Sequence, residues 1–206
     1  MNWFLSSDLH IGHSKILEIC SNRKLLGNTV EEHNEEIIRR HNSIVGPDDN
    51  IIYLGDLIMG SKKLNIPKYL PRLNGTACLL TGNHDFLPSE IKTPEKLKWY
   101  EDLYLNNGIS QIAYGCVSLS MFTHDSQHDK IKLSHFPPAS LTDSRDIERE
   151  QRYTHLRPVI KDDEILFHGH THSQSIVSDH NVFHIGVDAH NYFPVSLDYM
   201  ISLKGS

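Results

Sequence analysis

Short apolar runs and amphipathic stretches alternate along the first half of the chain. Trp3 to Ser7, Ile51-Ile52-Tyr53-Leu54 and Ala77-Cys78-Leu79-Leu80 are brief runs rich in branched and aromatic residues. Such runs suit strands buried on both faces, where neither face calls for polar alternation. Between the first two, Val30, Ile37, His41 and Ile44 recur at helical spacing. Thr29 and Glu32 make a capping box in front of them, and Gly46-Pro47 stops the helix. A second helix is predicted from Thr93-Pro94, with Pro94 in the first turn and Leu97, Tyr100 and Tyr104 along one face. This alternation predicts parallel strands joined by crossover helices.

The second half changes style. Val117, Leu119 and Met121 alternate with small polar partners, as do Ile131 and Leu133 with Lys132 and Ser134. A polar turn, His124-Asp125-Ser126-Gln127-His128-Asp129, separates them, which predicts a β-hairpin. The stretch from Asp143 to Glu164 is polar and reads as partly helical, Ile165-Leu166-Phe167 as a strand, and Val182 to Leu203 as two short strands around Pro194. The expectation is a mixed α/β fold, parallel in its first half and antiparallel in its second. No repeat or low-complexity linker divides it, so residues 1–206 are read as a single domain.

Polar residues follow almost every predicted buried strand. Asp8 and His10 follow the first, Asp56 the second, and Asn83, His84 and Asp85 the third. His135 follows the hairpin's return strand, and His168-Gly169-His170-Thr171-His172 the last buried one. In open α/β sheets ligands bind beyond the carboxyl ends of the strands, so these segments are predicted to converge. Asp8 and His10, like His170 and His172, are two apart; in extended backbone each pair presents two side chains to one side. Gly55, Gly82 and Gly169 precede Asp56, Asn83 and His170, where tight turns or close backbone approach are expected.

Composition sharpens this picture. The chain has 15 histidines, and histidine is the commonest metal ligand and proton shuttle. Its three cysteines (Cys20, Cys78 and Cys116) are far apart, which argues against a disulfide framework or thiolate zinc site and for a reducing, cytoplasmic setting. The N-terminus lacks a basic region before an apolar one, and no apolar run approaches membrane length, so neither a signal peptide nor a membrane partner is expected. A net charge of −6 argues against a large basic nucleic-acid surface. The donors are imidazoles, two carboxylates and an amide, a set that favours Mn, Fe, Zn or Co over Ca or Mg. Seven candidate ligands exceed one tetrahedral ion and suit two ions sharing a carboxylate.

Asp8-Leu9-His10, Gly55-Asp56, Gly82-Asn83-His84-Asp85, His135 and Gly169-His170-Thr171-His172 resemble, in order, the five signature blocks of the calcineurin-like metallophosphoesterases. The resemblance spans residues 8–172 and implies a four-layer αββα sandwich of two mixed sheets, the metallo-dependent phosphatase-like fold. It implies two divalent transition-metal ions, Mn foremost, with Fe, Zn, Co or Ni as alternatives. One would take Asp8, His10 and His172, the other Asn83, His135 and His170, with Asp56 shared. His84 would be the general acid and Asp85 its orienting partner, serving in-line attack of a metal-bound hydroxide on a phosphate ester.

Gly55-Asp56 continues as Leu57-Ile58-Met59-Gly60, without the Asp and Arg that protein phosphatases carry there. The start Asp8-Leu9-His10-Ile11-Gly12-His13 is similar to small bacterial and phage phosphohydrolases, so a small diester or nucleotide is the expected substrate. A DNA or RNA nuclease of the same superfamily and a non-catalytic scaffold on this fold are the alternatives. A metallo-β-lactamase-type His168-x-His170-x-His172 site lacks the Asp-His expected to follow it. His168 reads as the end of a buried strand, and His13 either as a cap or as a substrate contact. His33 and His41 read as helix packing or surface residues, and Asp188 and Asn191 as possible cavity residues from the tail. Arg145, Arg149 and Arg152 make a stripe that suits a solvated, salt-bridged helix face or a second phosphate. The oligomeric state has no signature in the sequence.

Overall fold

A computed structural model of the chain describes residues 1–122, 128–141 and 151–204. The three apolar runs are the adjacent parallel strands β1 (Trp3–Ser6), β2 (Asn50–Tyr53) and β3 (Thr76–Leu80), and β4 (Ile109–Ala113) extends the sheet in parallel. A second sheet holds β5 (Cys116–Phe122), β6 (His128–Ser134), β7 (Glu164–His168), β8 (Val177–Asp179) and β9 (Val182–His184) in the order β5-β6-β7-β9-β8. The chain then returns to the first sheet as β10 (Val195–Ser196), antiparallel to β1.

Side-chain parity explains the unbroken apolar runs. Phe4, Ile51, Tyr53, Ala77 and Leu79 pack on one face of the first sheet with Ile37, Ile66, Tyr69 and Tyr104. Those partners come from α2 (Val30–Ile44), which follows the short α1 (Ile16–Ile19), and from α3 (Lys62–Tyr69) and α4 (Pro94–Leu105). Leu5, Leu54 and Leu80 point the other way, into a core shared with Ile131, Leu133, Ile165, Phe167 and Phe183 of the second sheet. The two sheets therefore pack face to face, an α/β sandwich of two mixed sheets. Burying each such side chain contributes roughly 1.5–3 kcal/mol.

The Thr29/Glu32 capping box starts α2, and Thr93 caps α4 with Pro94 in its first turn. Other expectations need correction. The second sheet is not simply antiparallel: β6, β7 and β9 are parallel. The expected hairpin is present as the antiparallel pair β5 and β6, but the long passage from His135 to Asp163 brings β7 back parallel to β6. His128 and Asp129 belong to β6, opposite Phe122 and Met121, and not to the turn. His124 and Asp125 lie outside the described residues, as do Arg145 and Arg149. Arg152 pairs with Glu90 at 2.7 Å. The tail carries the two expected short strands on either side of Pro194, β9 and β10, but ends in a helix, α5 (Leu197–Ser202), where Ser196 accepts the N–H of Tyr199. Among the described residues no helix is long and apolar enough to cross a membrane.

One buried histidine has a structural role with a measurable consequence. His41 on α2 is almost fully buried, and the Tyr53 hydroxyl donates to its Nε2 at 2.7 Å. Burial holds His41 down to about 4, against an ordinary 6.5. Between those values the unfolded chain binds a proton that the folded chain refuses, so stability falls as pH drops through the window. Denaturant titrations of His41→Gln from pH 7.5 to 4 should lose roughly 2–3 kcal/mol less than wild type. An unchanged slope would place the acid sensitivity elsewhere.

Candidate metal centre

The site is assembled where the strands end. Beyond β1 and β2 the chain continues to pair: Asp8 N–H donates to Gly55 O, His10 N–H to Asp56 O and Ile11 N–H to Leu57 O, each at 3.0 Å. Gly169 N–H donates to His135 O at 3.0 Å, joining the segments that follow β6 and β7.

The local backbone differs from the extended geometry expected of the paired residues. Asp8 (φ 60°), His10 (φ 51°), Asp56 (φ 56°), His170 (φ 72°) and His172 (φ 52°) are all left-handed. Each costs of order 1 kcal/mol or more for a residue with a Cβ. The cost recurs at the segments that bring these side chains inward, so convergence comes from sharp turns and not from strand parity. Two glycines permit the close approach. A Cβ on Gly82 would run into the Asp56 carboxylate and sit 2.8 Å from His135 Cε1; one on Gly169 would sit 2.6 Å from Asp8 Oδ2.

All seven candidate ligands meet. The donor atoms of Asp8, His10 and His172 lie within 4.8 Å of one another, and so do those of Asp8, Asp56 and His135. His10 Nε2 faces His172 Nε2 at 3.0 Å. Across the cluster, Asn83 Oδ1 is 2.9 Å from His135 Nε2 and 3.0 Å from His170 Nδ1. Asp56 lies between the groups, its Oδ2 3.7 Å from His10 Nε2 and 3.6 Å from His135 Nε2. Its other oxygen accepts the His84 N–H at 2.8 Å, and both Asp8 oxygens accept the His170 N–H at 3.2 and 3.0 Å.

Hydrogen bonds orient two of the rings. His135 Nδ1 donates to Leu54 O at 2.7 Å, and His172 Nδ1 to Asp188 Oδ2 at 2.9 Å, which turns each Nε2 inward, where it would offer its lone pair to a cation that displaces any proton there. Burial pushes the Asp56 carboxyl up to about 6, against the pull of His135 and with the help of Asp85 and Asp8. Burial, reinforced by His172 and Arg23, holds His10 well below the usual histidine range. Burial would lower His172, but its hydrogen bonds to Asp188 and Cys20 and the nearby Asp8 together outweigh it and raise it to about 10. Buried carboxylates facing imidazoles, with no thiolate, form a donor set that fits divalent transition-metal ions.

His84 lines a cavity of about 280 Å³ with His10, His13, Asp56, Asn83 and His172. Its ring centroid is 5.5 Å from that of His10. Asp85 does not occupy the place expected of it beside His84. Its carboxylate accepts the backbone N–H groups of Asp56 (2.6 Å), Leu57 (3.1 Å) and Gly82 (3.0 Å) and the Tyr104 hydroxyl (2.8 Å). With those lone pairs committed, Asp85 shapes the turn that carries Asp56.

His168 ends β7, fully buried, with Nε2 2.8 Å from Ser178 Oγ, as expected of a strand-end residue. His13 Nδ1 accepts the N–H of Lys15, the residue just before α1, at 3.0 Å, and His13 lines the cavity. Asp188 stands behind His172 instead of lining the cavity, and Asn191 O accepts from Arg40. Sequence reasoning passed over Arg23, which is fully buried against Asp188 and the Asp8-Leu9 backbone. An arginine in the polar run Cys20-Ser21-Asn22-Arg23-Lys24 carries no spacing signal.

No family model matches the chain. It is 28% identical over 207 residues to an uncharacterized protein of Methanocaldococcus jannaschii, covering 97% of this chain and 89% of that one. A crystal structure of a protein of unknown function from Aquifex aeolicus superposes with a TM-score of 0.62 at 21% identity, covering 98% of each chain, a likeness of fold. Two mycobacteriophage proteins are also similar. The Gene 66 protein of phage L5 is 34% identical over 193 residues (91% of this chain, 86% of that one), and that of phage D29 is 31% identical over 200 residues (94% and 91%). At these identities over most of its length, the chain belongs to the family of the mycobacteriophage Gene 66 proteins.

Proposed function

We propose that this protein is a dinuclear metal-dependent phosphoesterase with the calcineurin-like fold, acting on a small phosphodiester or nucleotide. The observation that carries the reading is the position of Asp56 Oδ2, 3.7 Å from His10 Nε2 and 3.6 Å from His135 Nε2, between two groups of donors. One ion would be held by Asp8, His10 and His172 and the other by Asn83, His135 and His170, with Asp56 common to both. Bound divalent ions supply Lewis acidity toward phosphoryl oxygens and make hydroxide available near neutral pH.

The chain's own residues do the rest. His84 lines the cavity, and its imidazole would protonate the leaving oxygen, while its backbone N–H is tied to Asp56. Asp85 holds the Asp56 turn by its amides, so the shared carboxylate is fixed before substrate arrives. The net charge of −6 omits bound cations, which would make the cavity locally attractive to phosphate. A cavity of about 280 Å³ suits a small ester better than a polymer.

A panel of monoesters, linear diesters, cyclic nucleotides and nucleic acids assayed with Mn²⁺ tests this reading. Turnover of a small diester or nucleotide, abolished by a chelator and restored by Mn²⁺, is expected. Cleavage of polymers alone would favour the nuclease reading, and no hydrolysis of any member would favour a scaffold.

A further inference from the structure

Behind the cavity a buried guanidinium ties together three parts of the chain. Arg23 lies in a short 3₁₀ turn, Ser21–Leu26, and its side chain has no exposed surface. Its fork grips Asp188, with Nε 3.0 Å from Oδ1 and Nη2 2.6 Å from Oδ2. Its other N–H groups reach Leu9 O at 3.0 Å, Asp8 O at 2.6 Å and His33 Nε2 at 3.4 Å. Asp188 Oδ2 in turn accepts from His172 Nδ1 at 2.9 Å. The tail is folded to fit: Asn191 and Tyr192 are both left-handed, and the Tyr192 ring centroid lies 6.0 Å from the Arg23 guanidinium carbon.

The two groups of donors are backed unequally. His135 leans on a neutral carbonyl, Leu54 O, whereas His172 leans on a carboxylate that is itself clamped. A carboxylate on the far nitrogen fixes the tautomer and makes the facing nitrogen a stronger donor. Lysine could not make the same bidentate grip while also reaching two carbonyls.

We propose that Arg23 and Asp188 are positioning residues of the candidate metal centre, specific to its Asp8/His10/His172 half. Asp188 fixes His172 with its proton on Nδ1 and its lone pair on Nε2. Arg23 locks Asp188 to the Asp8-Leu9 backbone, so the donors from the first and last signature segments keep a common register. The inference rests on reading the cluster as a metal centre.

Calorimetric titration of the purified chain with Mn²⁺ tests it. Asp188→Asn should weaken one of two ions by about 10- to 100-fold and leave the other unchanged. Combined with His172→Ala, it should add less than twofold, because its effect runs through that ring. In wild-type protein loaded with Zn²⁺, NMR should find the His172 proton on Nδ1, a readout that does not depend on a variant folding. Wild type that binds no ion refutes the metal-centre reading itself. Wild type that binds two ions while Asp188→Asn binds both unchanged, or loses both equally, overturns the positioning role alone. So does a Zn²⁺-loaded His172 without an Nδ1 proton.

Discussion

Asp56→Asn is expected to lose metal binding and, with it, turnover by on the order of 10³ or more. The substitution keeps shape and changes charge. The side-chain oxygen that accepts the His84 N–H can still do so, whereas the position facing His10 and His135 becomes neutral or a donor. Asp56 Oδ2 faces a histidine of each group, so its loss should affect both ions, unlike changes at Asp188. The fold should not suffer. Burial lifts the Asp56 carboxyl to about 6, which means that in metal-free protein its ionisation at neutral pH opposes folding. An amide has no such penalty, so metal-free Asp56→Asn should melt at or above the wild-type temperature. Metal analysis and thermal melts on the same preparation check both halves. A variant that keeps both ions, or that unfolds, would show that Asp56 is not the shared electrostatic element.

His84→Ala should behave in the opposite way, retaining both ions and losing about 10²–10⁴ in turnover. His84 touches the cluster through its backbone N–H, which alanine also has, while the ring stands at the cavity wall. A proton donor matters most when the leaving oxygen is a poor leaving group. The loss should therefore be largest for alkyl esters and smallest for nitrophenyl esters. Equal losses on both, or loss of metal, would remove the general-acid role.

The location of the site could be read from the chain because polar residues interrupt apolar runs where strands end, and every interruption carries a donor. The strands themselves were readable because burial on both faces leaves unbroken apolar runs, as parity at Phe4 and Leu5 illustrates. Other features have no one-dimensional signal. Left-handed backbone at Asp8, His10, His170 and His172 belongs to the loops that follow β1 and β7, and those residue types do not signal it. The parallel order of β6, β7 and β9 depends on the path of a long connection. Asp85 looked like a partner for its neighbour His84, yet its oxygens reach back to amides near residue 56. Helix α3 has Pro67 inside it, and α5 follows a strand-like Val195-Ser196, so local composition pointed away from both. Arg23 and Asp188, 165 positions apart, meet only in the folded chain.

The central claim is that two ions share Asp56. The most direct measurement is the number of Mn²⁺ ions bound per chain at saturation, by calorimetry and elemental analysis of the same sample. Two per wild-type chain, with none tightly held by Asp56→Asn, is the predicted result; one ion, none, or two that survive Asp56→Asn would contradict it.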